Sequence, residues 1–186
     1  VLHVGGADSE PLIRKCLALG ADSAVRIDGF PTTSSQISNS IVNYVKQNPV
    51  DLILMGKESI DYNSGIVHGL VAGALGYTHF NPVMHLDLSG DGLNLEVEMD
   101  GGKMDVFCPL PAVLGCQEPI AEWKIPSMRG IMTARTKEIT VLPFESVSQI
   151  QIEKADIAET ARKNKMIKAE DAEQLIELLR TETNVL

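Results

Sequence analysis

From Val1 to Leu75 the chain repeats one unit: a short apolar run, a turn, then a stretch with apolar residues at helical spacing. The runs are Val1–Val4, Ala24–Ile27 and Asp51–Met55, and the stretches are Ser9–Leu19, Thr32–Gln47 and Ser64–Leu75. Strands separated by helices are joined by right-handed crossovers and lie parallel. The pattern predicts an α/β domain with an open, mostly parallel sheet and helices on both faces. Punctuation agrees: Pro11 is tolerated in a first turn, and Gly20 and Asn48-Pro49 close the helices before them. Asp51–Met55, DLILM, reads as a continuous apolar run typical of a strand covered on both sides.

Beyond Leu75 the grammar changes. Val83–Leu88 and Leu93–Met99 flank Ser89-Gly90-Asp91-Gly92, an antiparallel hairpin, and Asp100-Gly101-Gly102 turns into a further strand at Lys103–Phe107. Leu110–Leu114 and Ile139–Leu142 are two more apolar strands able to rejoin the main sheet. The expected division is an α/β domain over residues 1–145 and a polar tether with a helix at Ala169–Arg180 over 146–186. The tethered helix is expected to dock on another surface. The chain opens directly on a strand pattern without an initiating Met, so an N-terminal part of the domain is expected to be absent from this numbering.

Charge and cysteines narrow the function classes. A net charge of −9 argues against nucleic acid as the main partner, because phosphate neutralisation needs clustered Lys and Arg. Cys16, Cys108 and Cys116 lack metal-ligand spacing and read as reduced thiols. No apolar run reaches the length of a membrane span.

Two segments carry candidate chemistry. In Gly56–Gly73, GKESIDYNSGIVHGLVAG, a strand ends on Gly56, a loop runs through Lys57, Asp61, Tyr62 and Asn63, and Ser64-Gly65 opens a helix. Backbone N–H groups of Gly65, Ile66 and Val67 at such a start suit an anion. Ligands of open α/β sheets lie at the carboxyl ends of strands, where Gly5-Gly6 also falls. The same glycines can equally serve turn geometry alone. The second segment, Cys116–Lys137, is a loop with Trp123 and Ile125 that leads to a helix capped by Ser127. Met128, Arg129, Ile131, Met132 and Arg135 lie on that helix, and adaptable apolar groups beside cations suit transient docking. Ile131 and Met132 are expected in the core, with Met128 pointing elsewhere. His3, His68, His79 and His85 pair with no Cys or carboxylate at a telling spacing, so His68 reads as a packed or surface residue. No nucleophile elbow, Walker loop or zincin motif appears.

At these segments the chain resembles the β subunit of the electron transfer flavoproteins. The blocks are LALGAD (Leu17–Asp22), VDLILMGKESID (Val50–Asp61), VEMDGG (Val97–Gly102), LPAV (Leu110–Val113) and IPSMRGIMTARTKEI (Ile125–Ile139). The resemblance runs from Val1 to about Val141. It implies an adenine nucleotide alpha hydrolase-like fold and a heterodimer whose α subunit holds most contacts to FAD. It further implies a structural AMP in this subunit, replaced by a second FAD in bifurcating relatives. Met128 stands where the family's recognition loop carries an apolar anchor, and Glu98 matches an acidic residue near the α-subunit interface. Implied partners are acyl-CoA-type dehydrogenases and a quinone reductase, in the cytoplasm or the mitochondrial matrix. The chain departs from the family at Ile66-Val67-His68, where Gln, Thr or Val, and Gly are usual, and at Trp123, which replaces a Pro. The competing readings are a stand-alone AMP- or ATP-binding stress-type module of the same fold, and a hydrolase or ligase, for which no catalytic constellation is present.

Overall fold

The computed structural model describes residues 1–60, 62–145, 153–154, 156–157 and 164–183. The chain divides into two compact units, Val1–Gln151 and Ile152–Leu186.

In the first unit the three strand–helix repeats form as the periodicity requires. The strands are β1 (Leu2–Val4), β2 (Ala24–Asp28) and β3 (Leu52–Gly56), and the helices are α1 (Glu10–Ala18), α2 (Ser34–Gln47) and α3 (Val67–Leu75). Thr33 caps α2 by accepting from the Gln36 N–H, and Gly76 closes α3 with φ 70°, a left-handed conformation open to glycine. The expected start of α3 at Ser64 is corrected to Val67. Asn63 and Gly65 both have left-handed backbone (φ 47° and 59°), so no right-handed helix can run through them.

The polar-turn signals give β4 (Thr78–Ser89), β5 (Gly92–Met99) and β6 (Gly102–Pro109), an antiparallel meander. Next come β7 (Ala112–Cys116), α4 (Met128–Thr136) and β8 (Ile139–Pro143). Hydrogen bonding sorts the strands into two sheets, β1-β2-β8, wholly parallel, and β3-β7-β4-β5-β6, of mixed sense. The α/β class holds, while the single sheet expected of the first three strands is replaced by two. Both rejoining strands are present, β7 beside β3 and β8 beside β2.

One helical layer serves both sheets. Ile41, Val42 and Val45 of α2 and Val71 and Ala72 of α3 are buried against Leu2 and Val4 of β1 and Ile53 and Met55 of β3. Alternation across a strand sends Val113 of β7 into this layer and its neighbours Ala112 and Leu114 into a second core with Val83, Leu93, Leu95, Val97 and Cys108. A third core joins Ile13 and Leu17 of α1, Ala24 of β2 and Ala134 of α4.

Among the described residues β1 pairs only with β2 and β3 only with β7, so each leaves one edge open. The burial expected of the Asp51–Met55 run is therefore corrected: Leu54 is 55% exposed and Ile53 and Met55 beside it are only half-buried. In the second unit a 3-10 turn at Ala169–Asp171 leads into α5 (Ala172–Leu178), and the last turn, Leu179–Thr183, is π-helical. Lys165 pairs with Glu182 there at 2.6 Å.

Candidate functional site

The crossing from β3 to α3 builds a hollow of about 200 Å³ lined by Met55, Gly56, Lys57, Glu58, Ser59, Ser64, Gly65, Ile66, Val67 and His68, with Ile37 of α2. Of the residues singled out in the sequence, Gly56, Lys57, Ser64, Gly65, Ile66 and Val67 are gathered here. Asn63 lies outside the lining and donates its N–H to the Ser59 carbonyl at 2.8 Å. Asp61 falls outside the described residues. Gly5 and Gly6 end β1 and do not line the hollow. A Cβ on Gly5 would lie 2.5 Å from His3 Nε2, and one on Gly6 would lie 2.8 Å from the ring of the exposed Phe30, so what approaches these glycines is the tips of neighbouring side chains.

α3 starts on Ile66 without a side-chain cap, which leaves the first-turn N–H groups to the loop. Ser64 Oγ meets Ser34 Oγ of the α2 first turn at 3.2 Å, tying the loop to a second helix start. Lys57 is held at three points. Its N–H donates to the Cys116 carbonyl (3.0 Å), its Nζ to Gln117 Oε1 (3.1 Å), and its carbonyl lies 2.9 Å from His68 Nε2. Gln117 passes the chain on, donating from Nε2 to a carboxylate oxygen of Glu98. Glu98 is thus exposed but engaged within the subunit.

Sequence reasoning missed the histidines. His68 is only 3% exposed, and its Nδ1 lies 2.9 Å from Nε2 of His79, the rings stacked with centroids 5.0 Å apart. No spacing rule finds them, because His79 reaches His68 only after the chain has turned through Gly76 into β4. Among the described residues no group of three or more His, Cys, Asp or Glu side chains is placed to hold a metal ion.

The second segment forms a projecting surface. Trp123, Ile125 and Met128 are 81%, 77% and 75% exposed, and Arg129 and Arg135 are exposed beside them. Ile131 is only half-buried and joins none of the three cores, and Met132 is 66% exposed, which corrects the assignment of both to the core. The reason is the helix crossing: Ala134 faces α1, and Met132 shares the outer face with Met128 one turn earlier. Ser127 Oγ caps α4 by accepting from the Gly130 N–H at 3.1 Å. Arg14 of α1 donates from Nη1 to the carbonyls of Ala134 (2.6 Å) and Lys137 (3.0 Å), and Lys137 Nζ returns a bond to the Ala21 carbonyl (2.6 Å). Met128, Arg129, Met132 and Arg135 therefore stand on a helix whose C-terminal end is tied to α1 and the turn after it.

The site thus combines an α/β domain, a strand-to-helix loop with uncapped N–H groups, and an exposed apolar surface on an anchored helix. Residues 1–147 match the electron transfer flavoprotein domain, and the chain belongs to that family. It is 29% identical over 198 residues to the electron transfer flavoprotein subunit beta of Bacillus subtilis, covering 98% of this chain and 77% of that protein. The subunit beta of Mycobacterium leprae is 29% identical over 167 residues, 88% of this chain and 62% of its own length. The human subunit beta is 29% identical over 143 residues, 74% of this chain and 56% of its own length. This chain therefore spans less than two thirds of the length of several of the relatives it matches.

Proposed function

We propose that this chain is the β-type half of a heterodimeric electron transfer flavoprotein, carrying electrons from acyl-CoA-type dehydrogenases towards a quinone reductase. The observation that carries the reading is Met128, three-quarters exposed on a helix rigidly tied to α1, within a chain that matches the family from residue 1 to 147. An exposed apolar side chain on a rigid support loses little conformational freedom on contact, which is what a fast-exchanging partner surface needs.

In this reading an α subunit holds FAD, which supplies the redox chemistry when bound, and the present chain makes and breaks no bonds. Its part is to bind and orient. The loop after β3 takes the phosphate end of an AMP-type nucleotide on the N–H groups of Gly65, Ile66 and Val67. The hollow of about 200 Å³ suits a phosphoryl group with part of its ribose, since sites that enclose a whole drug-sized ligand start near 300 Å³. The family's side-chain amide is absent at this loop, so the backbone carries the contact. Glu98 faces the α subunit, and the unit from Ile152 to Leu186 docks on it through α5, where Leu175 and Ile176 remain 46% exposed.

Co-expression with its α subunit tests the assignment. The expected product is a yellow heterodimer that releases FAD and AMP on denaturation, as read by absorbance and mass spectrometry, with no stoichiometric flavin on the isolated chain. A solitary colourless protein that binds AMP and ignores the α subunit would instead establish the stress-type module.

A further inference from the structure

His68 Nε2 lies 2.9 Å from the Lys57 carbonyl, and a carbonyl only accepts, so this nitrogen carries the proton. With both rings neutral, His68 Nδ1 is then the acceptor, and His79 donates to it from Nε2 at 2.9 Å. Both imidazoles are thereby fixed as Nε2–H tautomers, and the direction of bonding runs from His79 to His68 to Lys57. Its end point is the mouth of the loop. Lys57 is the first residue after β3, and its carbonyl oxygen would lie 3.6 Å from a Cβ built on Gly65, so the two ends of the loop meet at this atom.

We propose that His79 and His68 form a two-ring latch that positions the Gly56–Val67 loop, with His79 orienting His68 and His68 closing the loop through the Lys57 carbonyl. The inference rests on the nucleotide reading of the hollow and adds to it the residues that set the loop's shape. Three features distinguish a latch from ordinary packing. His68 sits in the first turn of α3, so its bond to Lys57 joins the end of the loop to its beginning. The outer ring, His79, is exposed as a residue yet stacks on the buried His68 ring with the two planes 15° apart, so one face of it is withdrawn from water. The remaining polar groups of Lys57 are committed elsewhere, its N–H to Cys116 and its Nζ to Gln117, so the carbonyl is the last free point of the residue. His79 is held below the ordinary histidine range, first by loss of hydration and then by His68, which agrees with a neutral donor.

The test uses the αβ complex with the variants His68→Gln, His68→Leu and His79→Leu. A glutamine side chain retains one donor and one acceptor, whereas leucine retains neither. Losing one hydrogen bond is expected to weaken AMP binding by roughly three- to tenfold in His68→Leu, and less in His79→Leu. His68→Gln is expected to stay within about threefold of the parent. Backbone hydrogen exchange without nucleotide is expected to accelerate across Lys57–Val67 in both leucine variants and not in the glutamine variant. Imidazole ¹⁵N spectra are expected to show Nε2–H for both rings. Unaltered exchange in both leucine variants, or an Nδ1–H tautomer at His68, overturns the latch. A parent complex that ignores AMP while exchange still responds overturns the nucleotide reading and leaves the latch standing. If His68→Leu fails to fold, His79→Leu decides, because its ring is at the surface.

Discussion

Gly130 of α4 sits against the Ala18 carbonyl of α1 so closely that a Cβ at position 130 would lie 2.3 Å from that oxygen. Backbone-to-backbone approach of this kind is available only where no side chain intervenes. It lets Ala134 reach the core with Ile13 and Leu17, and it leaves Met128 and Met132 facing outward. Gly130→Ala is expected to force the helices apart, costing on the order of 1–3 kcal/mol as an overpacked contact does. Thermal unfolding measures the cost, and an unchanged melting temperature would show that α4 shifts freely.

Arg14 secures the far end of the same helix. Arg14→Met keeps the aliphatic stem and removes both bonds to the Ala134 and Lys137 carbonyls. Hydrogen bonds from a charged donor contribute about 1.5–3 kcal/mol, so a loss at the lower end of that range is expected for a part-exposed guanidinium. Hydrogen exchange confined to α4 would locate it, and uniform exchange would place the effect elsewhere.

Met128→Ala is expected to weaken electron transfer from the cognate dehydrogenase by about 1–3 kcal/mol, read as the rise in KM for the carrier. Stability and flavin content of the complex should not move, because the side chain is 75% exposed. Unaltered kinetics would pass the anchoring role to Trp123.

Two leucines on neighbouring strands should differ sharply. Leu54 and Leu114 are register partners in β3 and β7, yet the first is 55% exposed and the second 0%. Leu114→Ala is expected to cost roughly 2–5 kcal/mol, and Leu54→Thr less than about 0.5 kcal/mol. Denaturant midpoints compare them directly. A large cost at Leu54 would mean that another segment covers the open edge of β3 in solution.

Acid should destabilise the domain through two histidines. His3 is held low by loss of hydration and by Arg26, partly offset by Asp8, and His79 by loss of hydration and by His68. A depressed histidine binds its proton more readily in the unfolded chain. Stability is therefore complete above the ordinary histidine value of about 6.5 and is lost as pH falls through it. The melting temperature is expected to drop between about pH 7.5 and 5.5, with a shallower slope in His3→Gln and His79→Gln. An equal slope in both variants would assign the effect to carboxylates.

The sequence by itself determined the order and type of the main elements and the two segments worth inspecting. Apolar periodicity and turn residues are local, and they act within a few positions of where they are read. It also determined that Ser127 caps α4, since a cap depends only on the next three residues. What the tertiary structure decided is everything that depends on residues brought together from afar. It split the strands into two sheets and left Leu54 at an open edge, turned Met132 outward because Gly130 meets Ala18, and set Gly5 and Gly6 apart from the loop. It also joined His79 through His68 to Lys57, a bond whose participants no local pattern connects. Long-range hydrogen bonds and close packing are properties of the folded surface, and the chain writes them nowhere in sequence order.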